Sequence, residues 1–231
     1  MNNIEEGFVI SIANTKTQKL KRIVVIGEKS GVVSSYVINS KDTKDLINGV
    51  KINFRLINKD NSSLNTIEFT VKENFLTLLF FKKNNLFLFD SMVACLNNIF
   101  VYQTDIQNIY KSFKNTVQSL KYDNFQHTIY CYIDFLLNIL AFFGINITFT
   151  NYYSDNEPIY YISTKTGNCV SKSKGDPFRK QLFVIPQQFL NFTLDKQSYE
   201  GIIKTIKFFL KRTLSEHDIY IKNFDNIFFK Y

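Results

Sequence analysis

GFVISIANTKTQKLKRIVVIGEKSGVVSSYVI, residues 7–38, holds three short runs of β-branched and aromatic residues divided by two turn-rich segments. Gly7–Ala13, Leu20–Ile26 and Val32–Ile38 alternate in part between apolar and polar residues, the period of a strand with one buried face. Asn14–Lys19 and Gly27–Gly31 supply the Asn, Thr, Ser and Gly that suit tight turns. Further along, Val50–Ile57 and Leu64–Val71 repeat the texture, with Lys59–Ser63 as the turn between them. Five short strands in about 70 residues predict a small closed or nearly closed barrel, with an OB-fold favoured over an SH3-like barrel. The strand order stays open at this level.

After Lys72 the period changes. Phe75–Phe81, Leu86–Tyr102, Ile106–Leu120 and Phe125–Phe143 place apolar residues three and four apart, as helices with one buried face do. Gly144 stands where a glycine ends the last of these. A further helix is expected at about Lys196–Leu214, and a short apolar element over Ile219–Phe229. Between them lies a basic, turn-dense insert, IYYISTKTGNCVSKSKGDPFRKQLFVIP (residues 159–186), with β-prone runs at Tyr160–Ser163 and Cys169–Ser171 and turns expected at Gly167, Gly175 and Pro177. The expected class is α+β, an OB-fold-like five-stranded barrel over 1–74 followed by a mainly helical domain over 75–231, with the insert at about 151–186.

The 231-residue chain is 45% hydrophobic, enough to bury a core, and carries a formal net charge of +8. Such a charge suits an acidic partner, although 24 lysines against 4 arginines, with abundant Asn, Ile, Phe and Tyr, is also the signature of AT-rich codons. Its distribution says more: +3 over residues 1–80, zero over 81–155 and +5 over 156–231. Cys95, Cys131 and Cys169 form no CxxC pair, so neither a disulfide framework nor a zinc knuckle is indicated, and the compartment is expected to be reducing. The start lacks the basic and small-residue features of a signal peptide. Ile133–Phe149 is apolar but short for a bilayer span and interrupted by Asp134, Asn138, Gly144 and Asn146, which predicts a buried helix.

No catalytic residue, metal site or cofactor is expected. His127 and His217 stand about 90 residues apart without further ligands and are expected on helix surfaces. GxxxxGK[ST], GxGxxG after a strand, GxSxG and HExxH are all absent, and the carboxylates are scattered.

Binding is the positive reading. A barrel of this kind lets Lys and Arg track phosphates while aromatics stack on bases. The candidates on the first segment are Lys16, Lys19, Lys21, Arg22, Lys29, Lys51 and Arg55, of which the scarce arginines, with their planar forks, suit phosphate best. Lysines that merely solubilise strand edges are the alternative for part of this set. Tyr36 and Phe54 are candidates for base stacking, with the barrel core as the alternative place for each. Lys172, Lys174, Arg179 and Lys180 form a second basic group on the insert, with a solvated loop as its alternative.

Taken in order, Glu6-Gly7-Phe8-Val9-Ile10, Gly27, Gly31-Val32-Val33-Ser34, the Phe135, Leu137 and Phe143-Gly144-Ile145 pattern, and the insert from Tyr160 through Ser163, Lys165, Ser171, Gly175, Pro177 and Leu182 to Pro186 resemble the RecO recombination mediators. The resemblance spans roughly the whole chain. It implies binding of single- and double-stranded DNA without sequence preference, annealing of complementary strands coated by single-stranded DNA-binding protein (SSB), cooperation with RecR to place RecA, and a cytoplasmic, nucleoid-associated setting with no membrane and no ATP site. The insert cations would then extend the DNA path or engage RecR. Two departures limit the transfer. Many members carry a four-cysteine zinc site around the insert, where this chain has Tyr152 and Tyr153 and keeps only Cys169. Asp134 stands where members tend to have a basic or polar residue, in the region implicated in holding the acidic SSB tail. Two other readings share the same features: a basic single-stranded RNA chaperone, and a protein-interaction effector of an AT-rich intracellular bacterium.

Overall fold

The structure, a computed structural model, describes residues 4–17, 19–57, 66–79, 82–99, 106–122, 124–147, 153–154, 157–221 and 223–230. The expected turn Lys59–Ser63, the helix ends at Phe81 and Tyr102, and Tyr152 lie outside these residues. The chain divides into two compact units, Met1–Asp123 with Ile227–Phe229, and Asn124–Asn226 with Lys230–Tyr231.

In the first unit, β1 (Glu5–Asn14), β2 (Leu20–Gly27), β3 (Gly31–Ile38), β4 (Val50–Ile57) and β5 (Thr66–Asn74) form a closed barrel in the order β1-β2-β3-β5-β4. β4 pairs with β1 to close it, and β3 meets β5 in parallel at Tyr36 and Thr66. This arrangement, followed by helices, is that of an OB-fold ahead of a helical region. The alternation read in the sequence fills the interior: Val9, Ile23, Val25, Val37, Leu46, Val50, Ile52, Phe54 and Ile67 make one buried cluster, with Ile12 packed against it. Val9 pairs with Val25 and Ser11 with Val24, so Ile10 is an extra residue in β1, and this bulge lets both Val9 and Ile12 point inward. A 3-10 turn, Lys41–Asp45, delivers Leu46 into the core from one end.

The outward side of β1 is not free. Phe8 packs on Phe75, Tyr110 and Phe113 at ring distances of 5.7, 6.3 and 5.4 Å. These rings belong to α1 (Phe75–Leu79) and α3 (Gln107–Ser119). Asn97, on α2 (Lys83–Ile99), donates to the Ile10 carbonyl at 3.0 Å. Returning at the end of the chain, the segment 227–229 is held by a hydrogen bond from Ser91 Oγ to the Ile227 carbonyl. With the outward side of β1 turned to the helices, a ligand would meet the outer surface of β2, β3, β5 and β4.

In the second unit, α4 (Phe125–Phe142) ends as expected of Gly144: φ is +86°, its N–H bonds to Ala141 O at 2.9 Å, and Ile145 N–H reaches Leu140 O at 3.0 Å. The insert is a small antiparallel sheet of β6 (Tyr153–Ser154), β7 (Glu157–Ser163), β8 (Cys169–Ser171) and β9 (Leu182–Val184), with β7 paired to the other three. Gly167 makes the β7–β8 turn at φ +78°. Gly175 and Pro177 do not sit in tight turns. Gly175 closes a one-turn helix, α5 (Lys172–Gly175), and Pro177 stands in the first turn of the 3-10 helix Asp176–Gln181. Gly175 is there for space: a Cβ would lie 2.2 Å from the Tyr161 ring, whose hydroxyl donates to Asp176 Oδ1 at 2.6 Å. After the short α6 (Gln187–Leu190), α7 (Lys196–Glu216) packs on α4.

Candidate nucleic-acid interface

The β-ladder sets which side chains share a face, because directly opposed residues point to the same side of a sheet. Ala13, Arg22, Tyr36 and Thr66 occupy one row across β1, β2, β3 and β5. Their row lies outside the core cluster. Lys16, in the β1–β2 turn, and Lys19, just before β2, stand exposed at the same end of the barrel. Arg22 is exposed and donates its Nε to Ser34 Oγ at 2.9 Å, which fixes the guanidinium and leaves both terminal nitrogens for an anion. Among the described residues, none of these three cations has a carboxylate partner. In OB-folds the β2–β3 face and the flanking β1–β2 loop are the parts that take oligonucleotides.

The other cations read on the barrel are placed differently. Lys21 follows the inward parity of Ile23, and its ammonium donates to the Thr43 carbonyl at 3.1 Å, tying the 3-10 plug to β2. Lys29 is in the β2–β3 turn, at the opposite end of the seven-residue climb from Arg22, roughly 20 Å away at strand spacing. That end is acidic. Glu5 accepts from the Lys29 and Ser30 amides at 3.0 and 3.3 Å. Burial, and then the charges of Glu6, Glu28 and Glu5, push the Tyr110 phenol up. Lys51 is taken by Glu6 at 2.8 Å, and Lys114 meets the same carboxylate at 2.8 Å. Burial tends to raise the Glu6 carboxyl, but the hydrogen bonds and charges of Lys114 and Lys51 prevail and hold it below its ordinary value. Arg55 is directly opposite Glu68 on β5 and locked to it, Nη2 at 2.6 Å and Nε at 2.7 Å from Oε2. Of the two aromatics read as stacking candidates, Phe54 is 1% exposed and packed in the barrel core, and Tyr36 is half-buried on the outer face.

On the insert, Lys172, Lys174, Arg179 and Lys180 are all exposed, carried by α5 and the 3-10 helix that follows it. The Lys172 ammonium stands 5.5 Å above the Tyr160 ring, and Ser173 anchors the turn by donating its amide and hydroxyl to Glu157. Arg212, the fourth arginine, is structural: it donates to the Thr164 carbonyl at 2.8 Å and lies over the Phe209 ring.

The insert does not fit a zinc ion. A structural zinc takes four Cys or His ligands; Cys169 is half-buried, burial pushes its thiol up to about 11, and no three His, Cys, Asp or Glu side chains converge among the described residues. His127 is exposed on α4, and His217 is exposed as the residue that caps the C-terminal end of α7. No helix among the described residues is long and apolar enough to cross a membrane. Sequence reading overlooked Ser34, the partner that orients Arg22, and Glu68, the partner that occupies Arg55, because both depend on strand register.

The chain is 23% identical to the DNA repair protein RecO of Orientia tsutsugamushi (strain Boryong) over 192 residues, 81% of this chain and 78% of that protein. It is 27% identical to the DNA repair protein RecO of Rickettsia bellii (strain OSU 85-389) over 111 residues, 47% of this chain and 45% of that protein. No family model matches the chain.

Proposed function

We propose that this chain is a DNA repair protein of the RecO kind, a mediator without catalytic chemistry of its own, working in the cytoplasm on the nucleoid. The likeness to RecO proteins supports the repair role, and one feature of the barrel carries the binding mode: Arg22 stands opposite Tyr36 on the β2–β3 face, Lys16 and Lys19 are exposed at the same end, and none of the three has an acidic partner among the described residues. Residues 1–74 act as the nucleic-acid-binding module. Phosphates lie along the three cations and release their counterions, and Tyr36 offers a ring edge to a base.

The finer steps follow from holding two polyanions. Lys172, Lys174, Arg179 and Lys180 give the second unit its own cationic surface, for duplex or a second strand, or for RecR. Screening the repulsion between complementary strands accelerates their annealing, which needs no nucleotide hydrolysis. In this proposal the chain anneals SSB-coated strands and helps RecR load RecA. An acidic SSB tail is not assigned to the long helix, because the exposed Asp134 on α4 would repel it.

The test is annealing of complementary oligomers coated with the cognate SSB, with and without the protein. Acceleration that is lost in Lys16→Glu/Arg22→Glu is the expected result. No acceleration, or equal acceleration by the variant, refutes the proposal. Competition by an RNA of equal length separates it from an RNA chaperone, which would prefer the RNA.

A further inference from the structure

A groove of about 630 Å³ crosses the outer surface of the barrel from the end of β3 over β5 and β4, immediately beside the Tyr36–Thr66 row. Its rims are apolar and open: Ile38 is 72% exposed and Ile4 67%. Two exposed isoleucines on one groove offer an apolar plane to a flat ligand. Polar side chains line the groove as well. Asn53 stands directly opposite Thr70, and Arg55 directly opposite Glu68, in neighbouring rows of the same face. The side chains of Asn53 and Thr70 have no hydrogen-bond partner among the described residues. Both contacts from Arg55 fall on Oε2 of Glu68, so Oε1 is also unengaged there.

We infer that this groove takes unpaired nucleobases, reading their edges with Asn53, Thr70 and Glu68, and so makes the barrel a reader of single strands rather than of phosphate alone. The inference rests on the nucleic-acid reading above and adds the part of the ligand that phosphate contacts ignore. Charge decides the occupant. The Arg55–Glu68 pair is balanced and the depth of the groove is apolar, so it offers a phosphate no net attraction, and the unengaged carboxylate oxygen would repel one. A base presents the matching chemistry: N–H donors for Glu68 Oε1, mixed donors and acceptors for the Asn53 amide and the Thr70 hydroxyl, and an apolar plane for Ile38 and Ile4. Phosphates then stay with Lys16, Lys19 and Arg22 at the adjoining end while the bases turn inward. In a duplex the pairing edges are already occupied, so only a single strand can enter.

The experiment compares two strands of equal length, one of mixed sequence and one abasic, by fluorescence anisotropy with the full chain and with Asn53→Ala/Thr70→Val. The expected result is binding of the mixed strand about tenfold tighter than the abasic strand, the order of one or two base contacts. The double variant should bring the mixed strand down to the abasic level and leave the abasic affinity unchanged, which also shows that the variant is folded. Ile38→Ser should act in the same direction. Equal affinity for the two strands, or an equal loss on both in the variant, overturns the groove assignment while leaving phosphate binding intact. Binding of neither strand by the unaltered protein overturns the nucleic-acid reading and this inference together.

Discussion

Arg22 and Arg55 both lie on the outer face of the barrel, and their neighbours give them different jobs. Ser34 orients Arg22 without neutralising it, whereas Glu68 neutralises Arg55. Replacing Arg22 with Glu is expected to weaken binding of a single strand about tenfold and to lower the salt slope by about one contact. Lys29→Glu, at the acidic end among Glu5 and Glu28, should leave affinity within about twofold by the same salt titration, because it faces no phosphate. Gly175 is the residue on which the insert closes. Gly175→Ala drives a methyl group into the Tyr161 ring, and overpacking of this kind costs about 1–3 kcal/mol, to be read as a lower denaturant midpoint. If the midpoint does not move, the Tyr161 ring is not fixed where it is described.

At the scale of elements, β1 joins the barrel to the helices of its own unit. Its inward residues line the barrel, and Phe8, on the outward side, is 1% exposed among three aromatic rings. Phe8→Ala should cost about 3–5 kcal/mol in urea unfolding, more than an edge-strand substitution would. Glu6 adds a pH-dependent link from β1 to β4 and α3 through Lys51 and Lys114. Its folded pKa is depressed, so it contributes stability above the unfolded value of about 4.5, and that stability is lost as pH falls through the folded value. Glu6→Gln should therefore flatten the acid limb of the stability curve. An unchanged limb would assign acid sensitivity to other carboxylates.

The elements themselves were largely readable. Val50–Ile57 and Cys169–Ser171 run as their composition indicates, because β-branched alternation and flanking turn residues agree there. β5 runs on to Asn74, past the apolar Val71, because Glu73 and Asn74 continue the ladder against Lys51 and Val50, with Lys72 as an extra residue at the register shift. The α5 turn is not legible, because Gly175 reads as a turn glycine in sequence and only the Tyr161 ring packed against it shows that it is there for space. Sorting the cations was beyond the sequence altogether: parity sends Lys21 inward, and register gives Lys51 and Arg55 to acids distant in the chain.

Over the whole molecule, a net charge of +8 is not one undivided field. The barrel keeps Lys16, Lys19 and Arg22, none of which meets a carboxylate among the described residues, at one end and Glu5, Glu6 and Glu28 at the other, and the second unit presents its own group on the insert. Lys172→Glu/Lys180→Glu is expected to slow annealing more than it weakens single-strand binding, if the barrel holds the first strand. Equal effects on both would make the insert part of primary binding. The central claim is that Lys16, Lys19 and Arg22 contact phosphates directly, and the salt dependence of single-strand affinity tests it best. Three such contacts predict a linear fall of log affinity with log salt, of slope about −2; affinity that stays flat across the titration would contradict it.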